Sequence, residues 1–207
     1  MGFTWGRRRD YAIAVLYPLV VLAAAALVAG LAGAIDVSTT DWRKAALNMA
    51  LIGLSTVIVA TATEEGFFRG WLVASLKRAG CSQVQMLLWS SVAFSLWHLS
   101  GVSLDTGIGF DLPAAQIPVF MANAFLLGVI WGMLRLISGS VVVASVSHGV
   151  WNGINYALFA FGEKVGALGV KETGIFGPEV GVVGLALNII YAAMLWRWWR
   201  VRGQSSH

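Results

Sequence analysis

Between Tyr11 and Gly33 the chain carries no charged residue. A membrane-spanning helix needs about 17–25 mainly apolar residues. The runs at 11–33, 45–64 continuing toward 76, 84–101, 114–134, 139–161 and 179–196 all reach that length. Composition agrees, with 58% hydrophobic and 12% charged residues, about half the charged share of a soluble domain. Mean hydropathy is +0.76. Such a chain has too few charges to solvate a globular surface. The expected fold is all-α, a polytopic transmembrane bundle of about six spans embedded in the lipid bilayer. No linker, low-complexity tract or repeat divides it, so residues 1–207 are read as a single integral-membrane domain.

The formal charge of +4 does not mark a nucleic-acid binder, because the basic residues sit at the ends of the apolar runs. There they act as topology determinants. With the amino terminus in the cytoplasm, that side receives Arg7, Arg8, Arg9, Lys77, Arg78, Arg135, Arg197, Arg200 and Arg202, nine in all. The opposite side receives four, Arg43, Lys44, Lys164 and Lys171. The bias predicts both termini inside, and the 101–113 loop with Asp105 and Asp111 outside. The first run exceeds the 7–15 residues of a signal-peptide core, so it reads as an uncleaved span. Trp5, Trp42, Trp196, Trp198 and Trp199 fall near span ends, as interfacial anchors do. The lone cysteine, Cys81, excludes an intrachain disulfide framework and a cysteine metal cluster.

Against this apolar background a few polar residues are out of place. Glu64, Glu65 and Arg69 stand in TATEEGFFRG, His98 in AFSLWHLSG, and His148 with Asn152 in SVSHGVWNG. A charge at mid-membrane costs about 2.5–3.5 kcal/mol on insertion scales, so these groups need partners or a wet cavity. Depth brings them together. At about 1.5 Å per residue, Glu64 lies roughly 20 Å along its helix from Lys77. His148 lies roughly 20 Å from Arg135, and His98 roughly 24 Å from Ser82. Three helices deliver polar side chains to one layer, somewhat nearer the outer boundary. One site is the economical reading.

Residues four apart share a helix face, whereas neighbours diverge by about 100°. Glu65 and Arg69 are therefore expected to pair, with Glu64 directed elsewhere. His148 and Asn152 address one point together, and Phe94 lies one turn below His98. Carboxylate, imidazoles and amide suit hydrolysis, in which one group activates water and another stabilises an oxyanion. Asn48, Asn123 and Asn188 read as interhelical hydrogen-bonding residues. Pro118 reads as a kink inside the fourth span, and the glycine-rich 162–178 stretch as an outer loop.

In order, Glu64-Glu65-x-x-x-Arg69, Phe94-x-x-x-His98 and His148-x-x-x-Asn152 resemble the three motifs of the CPBP family, the CAAX protease and bacteriocin-processing intramembrane proteases. The resemblance covers about residues 45–161. It implies an intramembrane endopeptidase that cleaves a membrane-anchored or membrane-associated protein or peptide, in a multi-pass protein of a prokaryotic cell membrane. It also implies that Glu64 and His98 activate water, that His148 and Asn152 form the oxyanion hole, and that Glu65 and Arg69 support the site. The chain is short beside the prenyl-processing members, which makes a CAAX substrate less expected than the proteolytic chemistry. The alternatives are a catalytically inactive immunity or scaffold protein of the same family, or a proton-coupled transporter, although no internal symmetry of the transporter kind is apparent. The family's metalloprotease label would put zinc on Glu64, His98, His148 and Asn152. The absence of HExxH and the poor ligand quality of Asn favour a metal-free glutamate mechanism with no cofactor.

Overall fold

The computed structural model describes residues 1–103, 112–161 and 164–204. The loop carrying Asp105 and Asp111 lies outside the described residues. Helix α1 spans Arg8–Leu31. Its first turn is closed by the Asp10 carboxylate, which accepts the Arg7 backbone N–H at 3.1 Å. Helix α2, Trp42–Ala62, is capped by Asp41, whose side chain accepts from the Lys44 N–H. The chain then widens into a π-helical stretch, Glu65–Leu72, and ends as α3, Val73–Arg78. Helix α4 is Gln83–Ser103, α5 is Ile117–Ser138 and α6 is Val141–Ile154. A second π-helical turn, Asn155–Phe159, follows α6. The short antiparallel strands β1, Ala160–Phe161, and β2, Lys164–Val165, come next. One turn of helix, α7 (Thr173–Phe176), precedes α8, Val182–Gln204.

Among the described residues, four helical stretches are long and apolar enough to cross a membrane: Arg8–Leu31, Trp42–Arg78, Ala114–Ser138 and Val182–Val201. The runs expected at 84–101 and 139–161 fall short, for a physical reason. Helix α4 carries Ser90, Ser91, Ser95, His98 and Ser100, and α6 gives way to a π turn after 14 residues. These are two of the helices that carry the out-of-place polar groups. The outer surface is apolar where lipid would lie. Leu47, Leu51, Leu54 and Ile58 form an exposed stripe along α2, the i, i+4, i+7, i+11 spacing of one helix face. A water-facing helix would bury that stripe.

Helix α6 is the buried centre, packed against α1, α2 and α5. Its closeness to α2 depends on glycine. A Cβ on Gly149 would stand 2.6 Å from the Gly53 carbonyl oxygen, and one on Gly153 would stand 2.7 Å from that of Met49. This is the small-xxx-small contact that lets backbones approach in membranes. His148 and Asn152 each immediately precede one of these glycines, so the contact also sets the height of both polar side chains. Gly149→Val is expected to destabilise the protein by about 1–3 kcal/mol through overpacking. Thermal unfolding in detergent measures it, and an unchanged midpoint would contradict the tight contact.

Pro118 does not kink α5. It lies at the helix start, where a missing N–H costs nothing. Asn123 and Asn188 do join helices: Asn188 Nδ2 donates to Asn123 Oδ1 at 3.0 Å, and Tyr17 of α1 donates to Asn188 Oδ1 at 2.8 Å. Asn48, by contrast, is exposed. Residues 1–6 lie across the α5–α6 corner. The Val141 N–H donates to the Gly2 carbonyl at 2.8 Å, Arg135 Nε donates to the Arg69 carbonyl at 3.2 Å, and the Phe3 ring covers Gly66 and Gly70.

Candidate active site

The expected Glu65–Arg69 pair is present and fully buried, with Arg69 Nη1 3.3 Å from Glu65 Oε1. The same oxygen lies 3.1 Å from His148 Nδ1. One carboxylate therefore joins the π-helical stretch to α6, a link that spacing along the sequence does not reveal. Arg69 Nη2 also donates to the Gly128 carbonyl of α5 at 3.2 Å. Aromatic rings enclose both basic groups. The Arg69 guanidinium carbon stands 4.1 Å from the Phe94 ring centroid. The His148 ring stacks on Trp131 with centroids 3.9 Å apart and planes 17° apart. Stacking of this kind stabilises a cation that has left water.

The π geometry makes room for the cluster. A Cβ on Gly66 would stand 2.5 Å from the Thr61 carbonyl oxygen, so the widened turn after Glu64 requires glycine there. π-Helical insertions occur frequently at functional sites, and here one contains Glu65 and Arg69 and another follows Asn152.

Hydrogen-bond partners fix the imidazole tautomers. His98 Nδ1 lies 2.8 Å from the Phe94 carbonyl oxygen, which can only accept, so Nδ1 carries the proton and Nε2 offers a lone pair when the ring is neutral. His148 Nδ1 faces a carboxylate and is likewise protonated. Its Nε2 can donate to an oxyanion only as imidazolium.

Phe94, His98, His148 and Asn152 line one cavity of about 20 Å³, together with Trp131, Tyr156 and Glu179. That is room for about one water molecule. Glu64 does not line it. It sits partly buried at the head of the π-helical stretch, within electrostatic range of His148, Glu65 and Arg69. The sequence motifs thus converge, with Glu64 at the edge of the convergence. Trp131, Tyr156 and Glu179 were not anticipated. The available signal for Glu179 was a carboxylate at the first position of an apolar run.

Tyr156 also borders a second space, an open depression of about 390 Å³ with walls that include Asp36, Thr40, Asp41, Lys44 and Asn48. Its rim is fixed where residues 34–41 meet 166–171. The Asp36 N–H donates to the Leu168 carbonyl at 3.1 Å, and the Lys171 N–H donates to that of Ala34 at 2.8 Å. Hydrogen bonds from Ser38 to the exposed Asp36 carboxylate hold its pKa below the usual value.

Among the described residues no three His, Cys, Asp or Glu side chains converge as a metal-ligand set.

A helical bundle with an apolar exterior and a buried carboxylate–imidazole–guanidinium cluster defines a polytopic membrane protein with a polar centre. The family model of the Rce1-like type II CAAX prenyl endopeptidases matches residues 46–154, and the chain belongs to that family. Every motif residue named above lies inside the match, whereas Tyr156 and Glu179 lie beyond it. Membership points to an intramembrane endopeptidase acting on membrane-anchored protein in the lipid bilayer. No curated protein and no solved structure matches the chain.

Proposed function

We propose that the protein hydrolyses a peptide bond within a membrane-anchored substrate, without a metal. The observation that carries this reading is the meeting of His98, His148 and Asn152, from two helices, around a cavity the size of one water. Glu64, at the edge of the cavity, reaches that water as the helices part to admit substrate and takes its proton, and His98 Nε2 orients it. His148 and Asn152 receive the oxyanion. Glu65 serves by holding His148 as a donor. Comparing membrane proteomes of wild type and Glu64→Gln tests the reading. A precursor that persists only in the variant is expected, and identical proteomes would refute it.

Asn152→Ala is expected to lower turnover by about 10²–10³, the range for one oxyanion donor, with KM little changed. Purified enzyme should keep its turnover after treatment with a strong chelator. Loss on chelation, restored by one equivalent of zinc, would overturn the metal-free mechanism.

In this reading all of residues 1–207 form one membrane domain with both termini cytoplasmic. Reporter fusions after Lys77 and Arg135 should register as cytoplasmic, and one at Lys171 as external. Reversal at two of these positions would sink the topology.

A further inference from the structure

Glu179 is a carboxylate with no assigned work. It occupies the turn between α7 and α8 and is 5% exposed, and among the described residues no cation lies within ion-pair distance of it. Oε1 accepts the Trp151 indole N–H at 2.5 Å. Oε2 has only a long contact, 3.5 Å, from the Tyr156 hydroxyl. The backbone around it is held firmly. Asn123 Nδ2 donates to the Glu179 carbonyl at 2.9 Å, and Asn123 is fixed in turn by Asn188 and Tyr17. Three helices therefore hold a buried acid on the wall of the cavity that His98, His148 and Asn152 also line.

Amide hydrolysis requires a proton at two places. Water must lose one to attack, and the departing nitrogen must gain one, because an amide anion is too poor a leaving group to depart from a tetrahedral intermediate. Glu64 stands outside the cavity lining, whereas Glu179 stands in it. Building on the endopeptidase reading, we infer that Glu179 is the general acid that protonates the leaving amine. As the intermediate collapses, the C–N bond breaks and its electron pair passes to nitrogen, which takes the proton from Oε2. The proton that Glu64 removed from water then returns to the Glu179 carboxylate through cavity water. No other reactant is consumed.

The titratable groups facing Glu179 are His148 of α6, Tyr156 of the second π turn, Tyr17 of α1 and Glu64, with His98 of α4 sharing the cavity. The test must therefore read leaving-group protonation and not pH alone. The probes are a synthetic peptide spanning the scissile bond mapped by the proteome comparison, and its depsipeptide twin with that amide replaced by an ester. An alkoxide leaves with far less need of an acid. Glu179→Gln keeps an acceptor for Trp151, and it should lower amide turnover by about 10²–10⁴, the range for general acid–base catalysis. Ester turnover should fall by less than about tenfold on the same reasoning. Equal losses on both twins, or none on either, would overturn the inference. In the wild type, amide turnover should decline with rising pH more steeply than ester turnover, since His148 as oxyanion donor acts on both twins and Glu179 only on the amide. Matching profiles would also overturn it, whether or not the variant folds. If the wild type cleaves neither twin, the endopeptidase reading falls and takes this inference with it.

Discussion

Glu64→Gln should leave a folded, extractable protein whose turnover is lower by about 10²–10⁴, the contribution of a positioned proton-transfer group. The reason is geometric. Glu64 is only partly buried and forms no ion pair among the described residues, so removing its charge disrupts no packed partner. Glu65→Gln should behave differently. That carboxylate is wholly buried between Arg69 and His148, and its loss leaves two basic groups facing each other. Expression and thermal stability should fall along with activity. Size-exclusion profiles and turnover measured on both variants separate the two roles. Near-normal cleavage by Glu64→Gln would remove Glu64 from the mechanism.

Arg69→Met is expected to be among the most destabilising single substitutions in the chain. It leaves the Glu65 carboxylate buried with His148 as its one remaining basic partner. Breaking a buried pair from one side typically costs about 3–5 kcal/mol, because an uncompensated charge remains. Replacing both partners by neutral groups of similar shape costs far less. The double variant Glu65→Gln/Arg69→Met should therefore unfold at a higher denaturant concentration than Arg69→Met alone. A double variant no more stable than that single one would show that packing around the guanidinium, and not its charge, dominates.

Helical period and hydropathy made much of the site legible. The Glu65–Arg69 pair followed from their four-residue spacing, and the placing of His98 and His148 in one layer followed from counting residues to Ser82 and Arg135 at the inner span ends. The remainder depended on contacts between distant parts of the chain. Nothing local pairs Glu65 with His148, stacks Trp131 on His148, or sends Glu179 into the cavity. The π turns were hidden because widened and ordinary turns share the same apolar pattern over a few residues. Pro118 was misread because an apolar run shows where hydrophobicity persists and not where a helix begins. The sixth run was entered three residues early, which concealed Glu179 within a span when it belongs to the preceding turn.

The water-sized cavity also fixes the order of events. A space of about 20 Å³ admits the nucleophile and excludes the peptide, so on the proposed reading helices must part before a scissile bond can approach. Selection would then fall on how readily a candidate segment unwinds into an extended strand, ahead of any fit between side chain and pocket. Bilayer thickness and lipid order, which resist helix separation, would set the pace.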